Sequence, residues 1–426
     1  MLKTQPRGLW FIFFTEMWER VGFYSLMPML TLYMIHELHW SEARAGDYYG
    51  NFVMACYLFP LLGGWLGDRV LGRITTVNIG ALCMAIGYVA LALSSEDQTI
   101  FFIIGLFLIA LGTGIFKVNM GALIGSLYLD NPKQKDAGFN IFYMGVNVGA
   151  LIAPLIVTYN KVVVHDSHVS FWICAVGLAC ALVIFRVGRP NLVHADIRAV
   201  PAKSGAGELA VSPMSKREVT ERIVTLAGLF LVLMMFWMAF YQNYFALTLF
   251  AERSTIAYKW LQPETYQFFP PLFIVVLTPL VLMVFGALNK KGKEPITPVK
   301  MFLGMAIMTV SLLIMVAASY AGGDADRNSM SPLWLIVMYF FVSLAEILIS
   351  PIGMSYVSKV APAQYQGLLF GAWFLTMSMG GKLSGLLGKY YGTFSHHDYF
   401  LFLAGLLGFS TVLILLLLKR LKKYAG

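Results

Sequence analysis

The sequence predicts an all-α membrane protein: twelve transmembrane helices arranged as two six-helix halves. Two observations carry this. Of 426 residues, 58% are hydrophobic and only 12% charged, whereas soluble domains run near 25% charged and about half apolar. The apolar residues also come in long unbroken runs, not in the alternation of a membrane-spanning strand. Each run approaches the roughly 20 residues a helix needs to cross a hydrocarbon core about 30 Å thick.

In chain order, the first span covers 9–34 and surrounds TEMWERVGFY (15–24), which sets Glu16, Glu19 and Arg20 inside it. This segment is too long and too charged for a cleaved signal peptide and lacks a small-residue cleavage site, so it is expected to remain in the mature chain. Spans 49–67 and 74–94 flank GGWLGDRVLGR (63–73); span 99–128 holds Lys117 within GTGIFKVN; spans 138–160 and 169–186 complete the first set. Residues from Arg186 to Glu218, rich in Pro, Gly, Ala and basic residues and without an apolar period, read as a linker. The second set follows at 222–250, 266–288, 299–320, 333–358 (with Glu346), 366–391 (with Lys382) and 399–419, before the basic tail KRLKK. The expected domains are therefore an N-terminal six-helix bundle over 1–186, a cytoplasmic linker over 187–220 and a C-terminal six-helix bundle over 221–426.

Charge placement orients the chain. Of the 31 Lys and Arg, 22 lie on the side of the N-terminus, six on the other and three within spans. The positive-inside bias then puts both termini and the linker in the cytoplasm, the protein being multi-pass in the cell inner membrane. The net charge of +9 has the same origin, and no soluble basic face exists for nucleic acid. Cys56, Cys83, Cys174 and Cys180 fall inside apolar spans without ligand spacing and read as small core residues. HELH (36–39) has its histidines three apart, not the four of a zinc-protease helix, and SHHD (395–398) sits in a short loop, so no metal is expected. GGKLS (380–384) has Thr376 where a phosphate loop starts with Gly and lies within a span, so no nucleotide site is expected. No nucleophile–base set appears either, so a membrane enzyme is the least expected reading.

What remains is charge inside the membrane. Glu16, Glu19 and Arg20 sit three and four apart, on one helical face that Phe23 and Tyr24 continue. A lone charge at mid-membrane costs about 3 kcal/mol or more, so such groups face the bundle interior or a wet cavity. Glu16, Glu19 and Glu346 against Arg20, Lys117 and Lys382 sum to zero charge, and their spread over both halves suggests one central site. Two six-helix halves with a polar midplane match the logic of secondary transport. Carboxylates poised between desolvation and neighbouring cations can load and release a proton. Proton symport is the economical reading, and a cation on one half with an anion on the other suits a zwitterion. Lys382, in the outer half of its span, is read either as snorkelling to the interface or as a second cation for a substrate carboxylate.

These residues also carry a resemblance. GGWLGDRVLGR resembles the loop signature of the major facilitator superfamily. EMWERVGFY, GTGIFKVN, FYMGVNVGALIAP (142–154), EILISPIGMSYVSKVAP (346–362) and GAWFLTMSMGG (371–381) resemble, in order, motifs of the proton-dependent oligopeptide transporters. The resemblance implies the major facilitator fold and proton-coupled import of di- and tripeptides by alternating access, with no cofactor beyond the coupling proton. It implies proton coupling by Glu16, Glu19, Arg20 and Lys117. It places Lys117 at the peptide carboxylate, Asn147 at the peptide backbone and Glu346 at the amino group, with Tyr24, Tyr57 and Trp373 as cavity walls.

The chain departs from the family pattern at Val21 and Phe23, at Met27 and Tyr241 where an arginine and an acid pair across the outer gate, and at Pro270. From Met27 and Tyr241 an apolar outer gate with little response to salt is expected. Gly112, Gly114, Gly381 and Gly385 are read as sites of close helix contact. Alternatives to peptide import are symport of another small zwitterion or peptide-like drug on the same fold, or a non-transporting membrane receptor. The expected partners are peptides, protons and membrane lipid.

Overall fold

The structure, a computed structural model, describes residues 5–129, 134–197 and 214–424. Residues 198–213 of the expected linker lie outside the described residues.

Helices follow the apolar runs. They are α1 (Arg7–Leu32), α2 (Glu42–Trp65), α3 (Arg73–Ala92), α4 (Thr99–Leu127), α5 (Lys135–Tyr159), α6 (Ser167–Gly188), α7 (Lys216–Phe240), the short α8 (Ala246–Arg253), α9 (Phe269–Lys290), α10 (Thr297–Ala321), α11 (Leu333–Val360), α12 (Gln366–Gly388) and α13 (His396–Lys423). Twelve are long enough to cross a bilayer. Ten spans among the described residues are apolar enough by composition alone; α1, with its three charges, and α12, with its glycines, serines and Lys382, are not. In α1 the three charged groups are buried, and in α12 Thr376, Ser378 and Ser384 are, as polar groups within a span require.

The expected single span 222–250 is broken. After Phe240 the chain tightens into a 3₁₀ turn at Tyr241–Tyr244 before α8 begins. Backbone groups freed inside a membrane need partners, and polar side chains provide them. Gln267 Nε2 donates to the Asn243 carbonyl at 2.8 Å and to the Tyr339 hydroxyl at 2.9 Å. The Tyr49 hydroxyl donates to the Tyr241 carbonyl at 2.6 Å. The Gln242 side chain ties the turn to its neighbours, Nε2 donating to the Ser384 carbonyl of α12 at 3.0 Å and Oε1 accepting from the Tyr399 hydroxyl at 3.0 Å.

The chain divides into two compact units, one of Met1–Trp40 with Phe52–Val211 and one of Ser41–Asn51 with Ser212–Gly426. In the first, α1 packs along α5 and α6, and α3 along α4 and α6. The α3–α4 crossing rests on reciprocal glycines. A Cβ on Gly87 would lie 2.9 Å from the Gly105 carbonyl and one on Gly105 2.8 Å from that of Gly87, and Gly80 and Gly112 repeat the arrangement two turns on. Such close backbone approach gives the van der Waals contact that drives helix association in lipid.

In the second unit α10 packs on α11 and α13, α7 on α12 and α13, and α9 on α11. The first turns of α2 group with this unit, which the sequence reading did not anticipate. Gly50 approaches Gly385 of α12 so closely that a Cβ would lie 3.1 Å from its Cα. Polar pairs flank that crossing: Arg253 with Glu42 at 2.6 Å, Lys389 with Asp47 at 2.5 Å, and Lys382 Nζ donating to Asn51 Oδ1 at 2.7 Å. The signal was present, since Glu42, Gly46 and Gly50, and Asp47 and Asn51, recur at four-residue spacing.

Candidate functional site

The predicted charge cluster forms in the first unit, with one change of emphasis. Glu16, Glu19 and Arg20 are 1%, 1% and 2% exposed, in the middle of α1. Arg20 holds its immediate neighbour Glu19 in a bidentate pair, Nη2 to Oε1 at 2.6 Å and Nε to Oε2. Glu16, one turn back, lies 3.5 Å from Arg20 Nε through Oε1, while its Oε2 is buried without a hydrogen bond among the described residues. Helical spacing puts Glu16 and Glu19 on the face of Arg20 alike; the stronger bond is between the adjacent residues. Bidentate carboxylate–guanidinium geometry is the strongest of the charge-assisted pairs. Above it the guanidinium faces the rings of Phe23 and Tyr24 at 5.1 and 5.8 Å, within cation–π range.

Glycine brings α5 to this cluster. A Cβ on Gly149 would lie 2.8 Å from Arg20 Cβ and 2.6 Å from the Met17 carbonyl. Asn147, 8% exposed, sits half a turn before Gly149 and donates from Nδ2 to the Tyr143 carbonyl of its own helix at 2.8 Å. On α4, Lys117 is within electrostatic reach of Glu16, Glu19 and Arg20, and its ammonium lies 5.8 Å from the Tyr57 ring of α2. Its side chain keeps accessible surface despite its place well inside α4. Thus Glu16, Glu19, Arg20, Tyr24, Tyr57, Lys117 and Asn147 belong to one unit, with the four charged groups brought together.

Two residues near the cluster were missed. Cys56 of α2, read as a plain core residue, is 4% exposed and within electrostatic reach of Arg20, Glu19 and Lys117. Asn119, two residues after Lys117, is 1% exposed and donates from Nδ2 to the carbonyls of Gly63 and Ile115, each at 2.8 Å. Its side chain occupies the space a Cβ on Gly67 would need, which is a local reason for the glycines of GGWLGDRVLGR. Arg73 ends that motif with bonds to Asp68 at 3.0 Å and Ser126 at 2.9 Å.

Glu346, Trp373 and Lys382 belong to the second unit. Glu346 is half-buried on α11. Trp373 is 1% exposed, its indole seated where a Cβ on Gly353 would lie 2.5 Å from the ring. Lys382, for which snorkelling and carboxylate binding are the two expectations, donates from Nζ to Asn51 Oδ1 at 2.7 Å. Met27 and Tyr241 are each buried in their own units, Tyr241 stacked on Trp237 at 6.0 Å.

Chemically, the cluster offers one carboxylate locked to a cation, one with a spare oxygen, and a second cation whose side chain keeps accessible surface. Among the described residues no group of three or more His, Cys, Asp or Glu is placed to hold a metal.

Comparison with known proteins gives consistent results. The family model of the Major Facilitator Superfamily matches residues 10–381. The chain is 30% identical to an uncharacterized transporter of Bacillus subtilis over 91% of this chain and 90% of that protein. It is also 30% identical to a di-/tripeptide transporter of Lactococcus lactis subsp. cremoris, over 98% of this chain and 95% of that one. Among solved structures, a mutant of a POT peptide transporter in complex with alafosfalin superposes with a TM-score of 0.87 at 28% identity, covering 99% of this chain and 95% of that chain.

Proposed function

Because this chain belongs to the major facilitator superfamily and, within it, to the proton-dependent oligopeptide transporters, we propose that it imports di- and tripeptides together with protons by alternating access. The observation that carries the reading is the buried Glu16, Glu19 and Arg20 cluster with Lys117 in electrostatic reach. A receptor or scaffold gains nothing from four ionisable groups held together at mid-membrane, where each is expensive. The relative named a di-/tripeptide transporter, matched over nearly the whole of both chains, supports the substrate class.

In this reading Glu16 takes up and releases the coupling proton, with Glu19 and Arg20 fixing the field around it. Lys117 relays the proton state of that pair to the peptide carboxylate. Asn147 bonds the peptide backbone, Glu346 receives the amino group, and Tyr24, Tyr57 and Trp373 shape the wall. The chain lies in the cell inner membrane with both termini cytoplasmic, supported by the 22 of 31 basic residues on that side.

Uptake of labelled dialanine into proteoliposomes under an imposed pH gradient tests the function. One proton per peptide across one pH unit should support about tenfold accumulation, since a pH unit is worth about 1.36 kcal/mol. Uptake that stops at equal concentration inside and out would contradict proton coupling. Failure to take up dialanine, with gradient-driven uptake of another zwitterion, would move the reading to that substrate.

A further inference from the structure

We propose that the first unit carries a binding site for an anionic phospholipid between α3 and the end of α6. A cavity of about 520 Å³ opens there, lined by Thr75, Asn78, Ile79 and Leu82 of α3 and by Arg186 and Arg189 at the close of α6. Its size falls within the roughly 300–1,000 Å³ of small-ligand sites.

Three features select the ligand. First, neither guanidinium has a hydrogen bond or ion pair among the described residues, and no acid lines the cavity. Two unpaired guanidinium groups beside each other repel, and a phosphate diester relieves that repulsion through charge-assisted bonds. Second, polar and apolar groups are ordered along the helices. Thr75 lies two residues inside the start of α3, and the arginines flank the end of α6; Ile79 and Leu82, 38% and 45% exposed, lie deeper along α3. At 1.5 Å per residue Leu82 is about 10 Å further into the bilayer than Thr75. A headgroup at the helix ends with its chains along Ile79 and Leu82 matches that order, and a free phosphate would leave the apolar part unused. Third, Asn78 Oδ1 is buried with no hydrogen-bond partner among the described residues while its Nδ2 donates to the Ile74 carbonyl at 2.8 Å. An acceptor in that position suits a hydroxyl-bearing headgroup. Basic pockets between transmembrane helices are established binders of anionic headgroups.

The test uses the full chain purified in a neutral maltoside and measures co-purifying lipid by native mass spectrometry. The probes are dioleoyl-phosphatidylglycerol, the matching phosphatidylcholine and inorganic phosphate. Wild type should retain phosphatidylglycerol at least severalfold over phosphatidylcholine, and the double variant Arg186→Gln/Arg189→Gln should lower it to the phosphatidylcholine level. Lys290→Gln/Lys291→Gln, which removes two exposed charges elsewhere, should retain it as wild type does. Ile79→Asp, in the apolar part, should weaken retention with both arginines present. Equal retention of the two lipids by wild type, full retention by the arginine variant, or equal loss in the lysine variant would overturn the proposal. Displacement of the lipid by millimolar inorganic phosphate would assign the arginines to a free anion and also overturn it.

Discussion

Glu16 and Glu19 differ in what Arg20 does to them, and that difference separates coupling from stability. Glu19 is clamped by both guanidinium contacts, so Glu19→Gln strands a buried cation; breaking a buried pair from one side costs about 3–5 kcal/mol. Glu16 has a spare oxygen, and Glu16→Gln leaves the bidentate pair intact. We therefore expect Glu16→Gln to melt near wild type, to abolish gradient-driven accumulation and to keep peptide counterflow, which needs no net proton movement. Glu19→Gln should melt clearly lower. Thermal melts beside counterflow assays check both, and full accumulation by Glu16→Gln would remove it from the proton path. At Glu346 the expectation concerns the substrate's amine. An N-acetylated dipeptide should compete far more weakly than the free one in wild type, and Glu346→Gln should narrow the gap; equal competition in wild type would reject the assignment. The presence and face of these charges were legible in the sequence because each sits in an apolar run. That Arg20 prefers its adjacent neighbour was not, since that choice depends on rotamers and on the approach of α5 at Gly149.

Helix pairs make the second scale. The α3–α4 crossing depends on backbone contact at Gly87 and Gly105, so Gly105→Leu should destabilise by about 1–3 kcal/mol through overpacking. Gly121, further along α4, has nothing within 4 Å of its missing Cβ, and Gly121→Leu should be close to neutral in the same detergent melt. A reversed ranking would show that the crossing tolerates separation. Among the glycines expected to sit at helix contacts, Gly112, Gly114 and Gly385 do so, against Gly80, Phe59 and Gly50 respectively. The expectation of an apolar, salt-insensitive outer gate rested on Met27 and Tyr241 alone. Within the second unit, the Glu42, Asp47 and Asn51 contacts in the first turns of α2 include two ion pairs that salt would weaken. Those contacts were hidden because their cations stand far away in the chain, on α8, on α12 and just past its end, and a four-residue stripe does not name its partner. The break after Phe240 was likewise obscured: a 3₁₀ turn whose carbonyls are met by Gln267 and Tyr49 leaves the hydropathy of the run unchanged.

For the whole molecule, composition and run length were enough for twelve helices, because a bilayer fixes how long and how apolar a span must be. Function was legible for a related reason: charges are so costly in this solvent that those retained at mid-span mark the working parts. The central claim is that peptide and proton move together through the α1 and α4 cluster. Its most direct test is to load proteoliposomes with a trapped pH-sensitive dye at equal pH inside and out, then to add dialanine outside. Wild type should acidify the lumen as peptide enters, and Glu16→Gln, though still able to exchange peptide, should not. Peptide entry into wild-type vesicles with no change in lumenal pH would contradict it.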